Sequence, residues 1–305
     1  ADGNRILIHF GPSSKPLKDR VIELTVRDRI FVPHRRGLTD IHVSGFLFTH
    51  CANQGPFPQV GAVSSRSGRR WVFENNTIRF AKTVGIDVGG EYFHPELMTD
   101  TVKADQRQIA GVGIEVKNNI ISDNGLEGIG GWESRGTRIT GNVLERNNYL
   151  GCGIHAGFGD HSQEQAAIKL HVSDALIEGK LIRDNDAYGI WIDNGFTNAR
   201  VTRNVILNNQ MAGVMFELGI GPAMIDNNVI AYNAGDGIYA HDASGITIAH
   251  NLLFRNADHG IWMQIVSDRT IGRTKLVETS NETVLNNLVL GNYRGSICLP
   301  PATPR

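Results

Sequence analysis

The sequence predicts an all-β chain wound as a right-handed parallel β-helix, and three observations carry that reading. A short apolar segment follows an asparagine at Asn76, Asn119, Asn142, Asn204, Asn228, Asn251 and Asn287, with Lys180-Leu-Ile in the equivalent place. The intervals between these positions are 43, 23, 38, 24, 24, 23 and 36, a base period of 23 or 24 with insertions of 12 to 20 residues. Such a repeat marks a solenoid, in which each turn buries its apolar face only against its neighbours. Nine residues after most of these positions stands a glycine followed by Ile or Val, as at Gly85, Gly128, Gly189, Gly213, Gly237 and Gly260. After the glycine, apolar and other residues alternate, as in Ile190-Trp191-Ile192-Asp193 and Val214-Met215-Phe216-Glu217, which is the period of a strand and not of a helix.

Taken in order, Val21 to Val32 and Ile41 to Phe48 read as strands of less regular coils within 1–70. From there each coil reads as two strands and their turns, about ten coils or more in all. The insertions fall near 90–110, 152–164 and 265–282. A leucine-rich repeat of similar length needs spaced leucines and a helix. Here asparagine, glycine and β-branched residues dominate instead. Asparagines at one recurrent position can bond to turn backbones and to each other in a ladder.

Length and composition agree with this reading. The 305 residues, 41% hydrophobic and 20% charged, suffice for a sizeable core, and 1–305 reads as a single domain. A net charge of −1 offers no bulk attraction to nucleic acid or anionic lipid, and no apolar run is long enough to span a bilayer, so neither is an expected partner. Cys51, Cys152 and Cys298 are odd in number and widely spaced, which suits apolar packing better than disulfides or a metal site. Nothing in the sequence calls for a cofactor or metal. The chain opens Ala-Asp-Gly, without Met or a leader pattern, and reads as a mature or trimmed form whose compartment is open.

Periodicity also points to a site. Residues at one phase of successive coils should stack about 4.7–4.9 Å apart. Stepping by 24 places Lys169, Asp193, Glu217 and His241 in one outward column, reaching Gln264 after a step of 23. Two residues earlier, Ala167, Trp191, Met215, Tyr239 and Trp262 form a second outward column. Aromatic rings beside stacked carboxylates suit a sugar groove. Lys169 would favour ionised Asp193, while the like charge of Asp193 would push Glu217 toward its protonated form, the division of a nucleophile and a general acid. One inter-coil step lies near the retaining separation of about 5–5.5 Å. The same residues also read as a solvated charge ladder, and that alternative stays open at this point.

The residues around this column resemble glycoside hydrolase family 120, β-xylosidases on a right-handed β-helix. Glu164-Gln-Ala-Ala-Ile-Lys169-Leu-His171 is similar to that family's Glu-Ile-Ala-Gly-Ile-Lys-x-His, and Gly189-Ile-Trp-Ile-Asp193 to its Gly-Ile-Trp-(Met/Leu)-Asp at the same separation. Glu217-Leu-Gly-Ile-Gly221-Pro222 and Asp226-Asn227-Asn228 resemble its Glu-Val-Asn-His-Gly-Pro and Asp-Asn-Asn, and Ile41 to Phe46 and Trp71 to Asn76 extend the likeness upstream. The resemblance implies that Asp193 attacks the anomeric carbon and that Glu217 serves as acid and then base. It also implies that Glu164, Lys169 and His171 meet the substrate; Trp191, Tyr239, His241 and Trp262 join them as binding candidates from the columns.

The chain departs from the family at Asn194, where the family has tryptophan, and at Gly219-Ile220, which stands for Asn-His. The family's additional β-sandwich and amino-terminal coils have no evident counterpart. An open helix end calls for a cap, from a second copy of the chain or another partner. Two other readings stand beside the β-xylosidase-like one, whose substrate would be a plant-type oligosaccharide or glycoside. A polysaccharide lyase or uronate epimerase would use Lys169 or His171 as base, with calcium at Asp193 and Glu217. The other is a noncatalytic carbohydrate-binding solenoid.

Overall fold

The computed structural model describes residues 16–54, 60–90, 111–149, 164–266, 269–271 and 275–301. The expected insertions at 90–110 and 152–164 lie almost entirely outside the described residues, as does Cys152. The described chain is a parallel β-helix whose coils stack strand on strand. Each coil has three strand segments, one more than the repeat suggests. The coil from Ala166 runs through Ala166–His171, Leu176–Glu178 and Leu181–Arg183 before returning at Tyr188–Asp193. The missed segment is three residues long, too short for its alternation to show in the sequence.

We number the faces in that order. Each face contributes at least one inward residue per coil to a continuous apolar stack. On the first face it runs Val63, Ile86, Ile129, Ile168, Ile190, Val214, Ile238, Ile261 and Ile297. On the third it runs Phe48, Ile78, Ile121, Leu144, Ile182, Ile206, Ile230, Leu253 and Val289, nine coils among the described residues. β-Branched residues at one phase suit the pleat and pack along the axis, so the core is a column shared by all coils.

The expected asparagine ladder is present where the second face turns into the third. Asn76 donates its amide to Asn119, Asn119 to Asn142, Asn204 to Asn228, Asn228 to Asn251 and Asn251 to Asn287, at 2.9–3.1 Å. Lys180 takes the missing rung, donating Nζ to the carbonyls of Ile139 and Glu178 while its backbone N–H meets Asn204. A second ladder lies five residues on, through Asn124, Asn147, Asn185, Asn209, Asn233, Asn256 and Asn292. It explains the recurrent glycines. A Cβ on Gly237 would come within 2.6 Å of the Gly260 carbonyl and 2.9 Å of Asn256 Nδ2.

The early chain differs from expectation. Ile41 to Phe48 does hold strands, His42–Ser44 and the start of Leu47–Cys51, separated at Gly45 with φ of 79°. Val21 to Val32 forms no strand. Val21 and Val26 stay 88% and 83% exposed, and of this stretch only Phe31 makes a bridge, to Val63. Alternating apolar residues become a strand only where a neighbouring coil supplies a continuous ladder. Within the third expected insertion, Thr270–Ile271 pairs antiparallel with Lys275–Leu276.

Candidate active site

The outer surface of the first face carries the predicted residues, and its register corrects one of them. Strand Ala166–His171 pairs with Tyr188–Asp193 so that Lys169 meets Trp191 and His171 meets Asp193, a step of 22 and not 24. The next strands continue at 24, Trp191 with Met215 and Ile192 with Phe216, which sets Asp193 beside Glu217; Glu217 then pairs with His241, and His241 with Gln264. The polar column is therefore Trp132, His171, Asp193, Glu217, His241 and Gln264. Lys169 replaces Ala167 in the other column, above Gly130 and below Trp191. A slip of two residues keeps a side chain on the same sheet face, so Lys169 still points outward.

From that neighbouring column Lys169 reaches the carboxylates diagonally. Its Nζ stands 3.4 Å from Asp193 Oδ2 and 3.3 Å from Glu164 Oε2, and 2.9 Å from the centre of the Trp191 ring. His171 lies between the same carboxylates, with Nε2 3.2 Å from Glu164 and Nδ1 3.4 Å from Asp193. Its ring is 4.6 Å from that of Trp132, and Asn194, with φ of 52°, turns its amide to Nδ1 at 3.4 Å. Burial pushes the Glu164 carboxyl up, but Lys169 and His171 outweigh it and hold it at about 2. Glu164, His171 and Asp193 are also a donor set of the kind that holds a metal ion. Lys169 places an ammonium between its two carboxylates, so the cluster carries its own cation.

Glu217 is in a different setting. Burial and the charge of Asp193 raise its carboxyl above the ordinary range, opposed by Arg269 and Lys169. Arg269 Nη1 lies 2.5 Å from Glu217 Oε1 and 3.4 Å from Asp242 Oδ2, and His241 Nδ1 is 3.4 Å from the same Oε1. Burial, then Arg269, lowers the His241 pKa and favours its neutral ring. Gly219 is needed here for space. A Cβ on it would collide with the Phe196 ring, which packs edge-on against Phe216.

The aromatic residues do point outward, but their faces are engaged with each other. Trp191, Met215 and Tyr239 are buried with Tyr188 in a second apolar cluster. Tyr239 stacks on Trp262 at 4.6 Å and on His241 at 5.1 Å. Three polar residues of the site escaped the sequence reading. Trp132 was findable, being in the polar column one coil before His171, had the 39-residue coil been measured. Glu127, fully buried in the space left by Gly130 and pushed by burial well above the carboxylate range, carries no motif. Arg269 lies in an insertion, to which no period applies.

The family model described as the right-handed β-helix region matches residues 43–218 and 161–300. The chain belongs to the right-handed β-helix family. Among solved right-handed β-helices, XylC in complex with xylose covers 92% of this chain at TM-score 0.64 and 18% identity. This chain spans 55% of XylC. A double mutant of the periplasmic alginate epimerase AlgG covers 85% of this chain and 69% of its own, at TM-score 0.54 and 14% identity. At these identities the likeness establishes the fold. No curated protein matches the chain. Among the described residues no helix is long and apolar enough to cross a membrane.

Proposed function

We propose that this β-helix is a retaining, β-xylosidase-like glycoside hydrolase acting on a plant-type oligosaccharide. The observation that carries the reading is the pair Asp193 and Glu217, buried one coil apart with unlike partners, Lys169 and His171 on one and Arg269 and His241 on the other. An inter-coil step of about 4.7–4.9 Å suits a retaining pair, for which about 5–5.5 Å is usual. In the first step Asp193 forms a bond to the anomeric carbon as the glycosidic C–O bond breaks, and Glu217 gives its proton to the leaving oxygen. In the second, water attacks that carbon, Glu217 takes the water's proton, and the bond to Asp193 breaks. Lys169 and His171, both braced by Glu164, keep Asp193 oriented. The motif resemblance and a xylose-bound relative in fold support a neutral pentose as the sugar.

A second reading, a uronate epimerase or lyase, draws support from the neutral ring of His241 beside Arg269. His241, partly exposed and held toward its neutral form, suits the role of base better than Lys169 or His171, which are buried. A panel of nitrophenyl glycosides and uronate oligosaccharides separates the readings, and a noncatalytic solenoid turns over none of them. On a hydrolysed glycoside, Asp193→Ala should abolish turnover. Glu217→Ala should keep activity only with activated phenols and form a glycosyl azide of retained configuration when azide is added. If both variants keep wild-type activity, the assignment is wrong.

A further inference from the structure

Arg269 enters the site from outside the repeat, and its contacts are one-sided. Both of its carboxylate partners, Glu217 and Asp242, meet the same nitrogen, Nη1. Nε and Nη2 have no contact with a protein acceptor among the described residues, although the side chain is only 32% exposed. The residue is held in place by its own backbone, whose carbonyl accepts from Val277 N–H at 3.0 Å, and Val266, just past the preceding strand, donates its N–H to Asp242 Oδ1 at 2.8 Å. A guanidinium presents its donors as a planar fork, and the edge formed by Nε and Nη2 matches the two oxygens of a carboxylate. Among the described residues that edge meets no acceptor, and it lies within reach of the residue assigned as proton donor.

We propose that Arg269 is a substrate-binding residue that recognises the carboxylate of an acidic sugar, a uronic acid carried within one unit of the scissile bond. Glu217 must stand at the glycosidic oxygen, so a group on the far edge of the Arg269 fork belongs to a sugar next to that oxygen and not to a distant part of the chain. The inference rests on the glycosidase reading and narrows its substrate class to acidic, glucuronate-bearing oligosaccharides.

The test compares wild-type protein with Arg269→Gln and Arg269→Lys. The substrates are nitrophenyl β-xyloside, xylobiose and a glucuronate-substituted xylo-oligosaccharide, and calorimetry follows binding of the last. The expected result is a loss of about ten- to a hundredfold in kcat/KM on the acidic substrate relative to the neutral ones in Arg269→Gln, expressed in KM, with partial recovery in Arg269→Lys. An unchanged acidic-to-neutral ratio in a folded Arg269→Gln overturns the inference while leaving the hydrolase reading intact. Arg269-dependent binding of the acidic oligosaccharide with an unsaturated product, formed without Asp193, upholds the inference and overturns the hydrolase reading instead.

Discussion

Lys169 and Asp193 occupy different outward columns of the first face, yet the lysine ammonium stands 3.4 Å from Asp193 Oδ2. The contact is diagonal, across one coil and two residues, and only a long side chain can make it. Lys169 is fully buried, and the carboxylates of Glu164 and Asp193 are the groups set against its amino end. Lys169→Met keeps the volume and leaves two carboxylates without their cation. Stability should fall by about 3–5 kcal/mol, and turnover should drop with it. A Lys169→Met protein that melts with the wild type would show that the ammonium contributes nothing there.

Glu164 gives the same cluster a pH dependence of known sign. Its folded pKa is about 2, below the ordinary 4.5, so its pairing stabilises the protein above pH 4.5 and is lost as the pH falls toward 2. The difference in stability between wild type and Glu164→Gln should therefore shrink by roughly 3 kcal/mol across that window. Denaturant titrations at pH 6, 4 and 2.5 measure it. A constant difference would remove the linkage.

The general acid should be readable in the pH–rate profile. Because burial and Asp193 raise the Glu217 pKa, the alkaline limb of kcat/KM should lie above the carboxylate value of 4.5. Activity is retained while Glu217 is protonated and lost as the pH rises through its folded value. Glu217→Gln should erase the limb with activated aryl glycosides. Since Arg269 opposes the shift, Arg269→Gln should move the limb further up. A limb that ignores both substitutions assigns the acid elsewhere.

Lys180 interrupts the amide ladder with a buried amino group whose pKa burial lowers well below the ordinary lysine value. It donates to two carbonyls but has no amide oxygen to offer, so it breaks the amide-to-amide chain between Asn142 and Asn204. Lys180→Asn should restore the chain and raise the melting temperature by a few degrees, about 1 kcal/mol. Calorimetry decides, and a lower melting temperature would mean that Lys180 fills the rung better than asparagine.

How much of the molecule was legible in the sequence follows from what repeats. A parallel β-helix uses the same contact in every coil, so Ile190, Val214, Ile238 and Ile261 advertise one core column, and Asn204, Asn228 and Asn251 one ladder. The identity of the fold, the outward aim of Asp193 and Glu217, and their adjacency all derive from a period that holds at 24 through that stretch. Where the period changes, local sequence loses its hold. The 22-residue step into Asp193 moved Lys169 from the carboxylate column to the aromatic one, and because side chains alternate with period two, nothing in the pattern marked the slip. Glu164, His171 and Lys169 could be named from motifs, but their convergence on Asp193 is set by how far each side chain reaches across coils. Arg269 was beyond any sequence argument. It comes from a segment outside the repeat, and only the packed tertiary structure brings its guanidinium to Glu217, since through-space charge pairing leaves no trace in residue spacing.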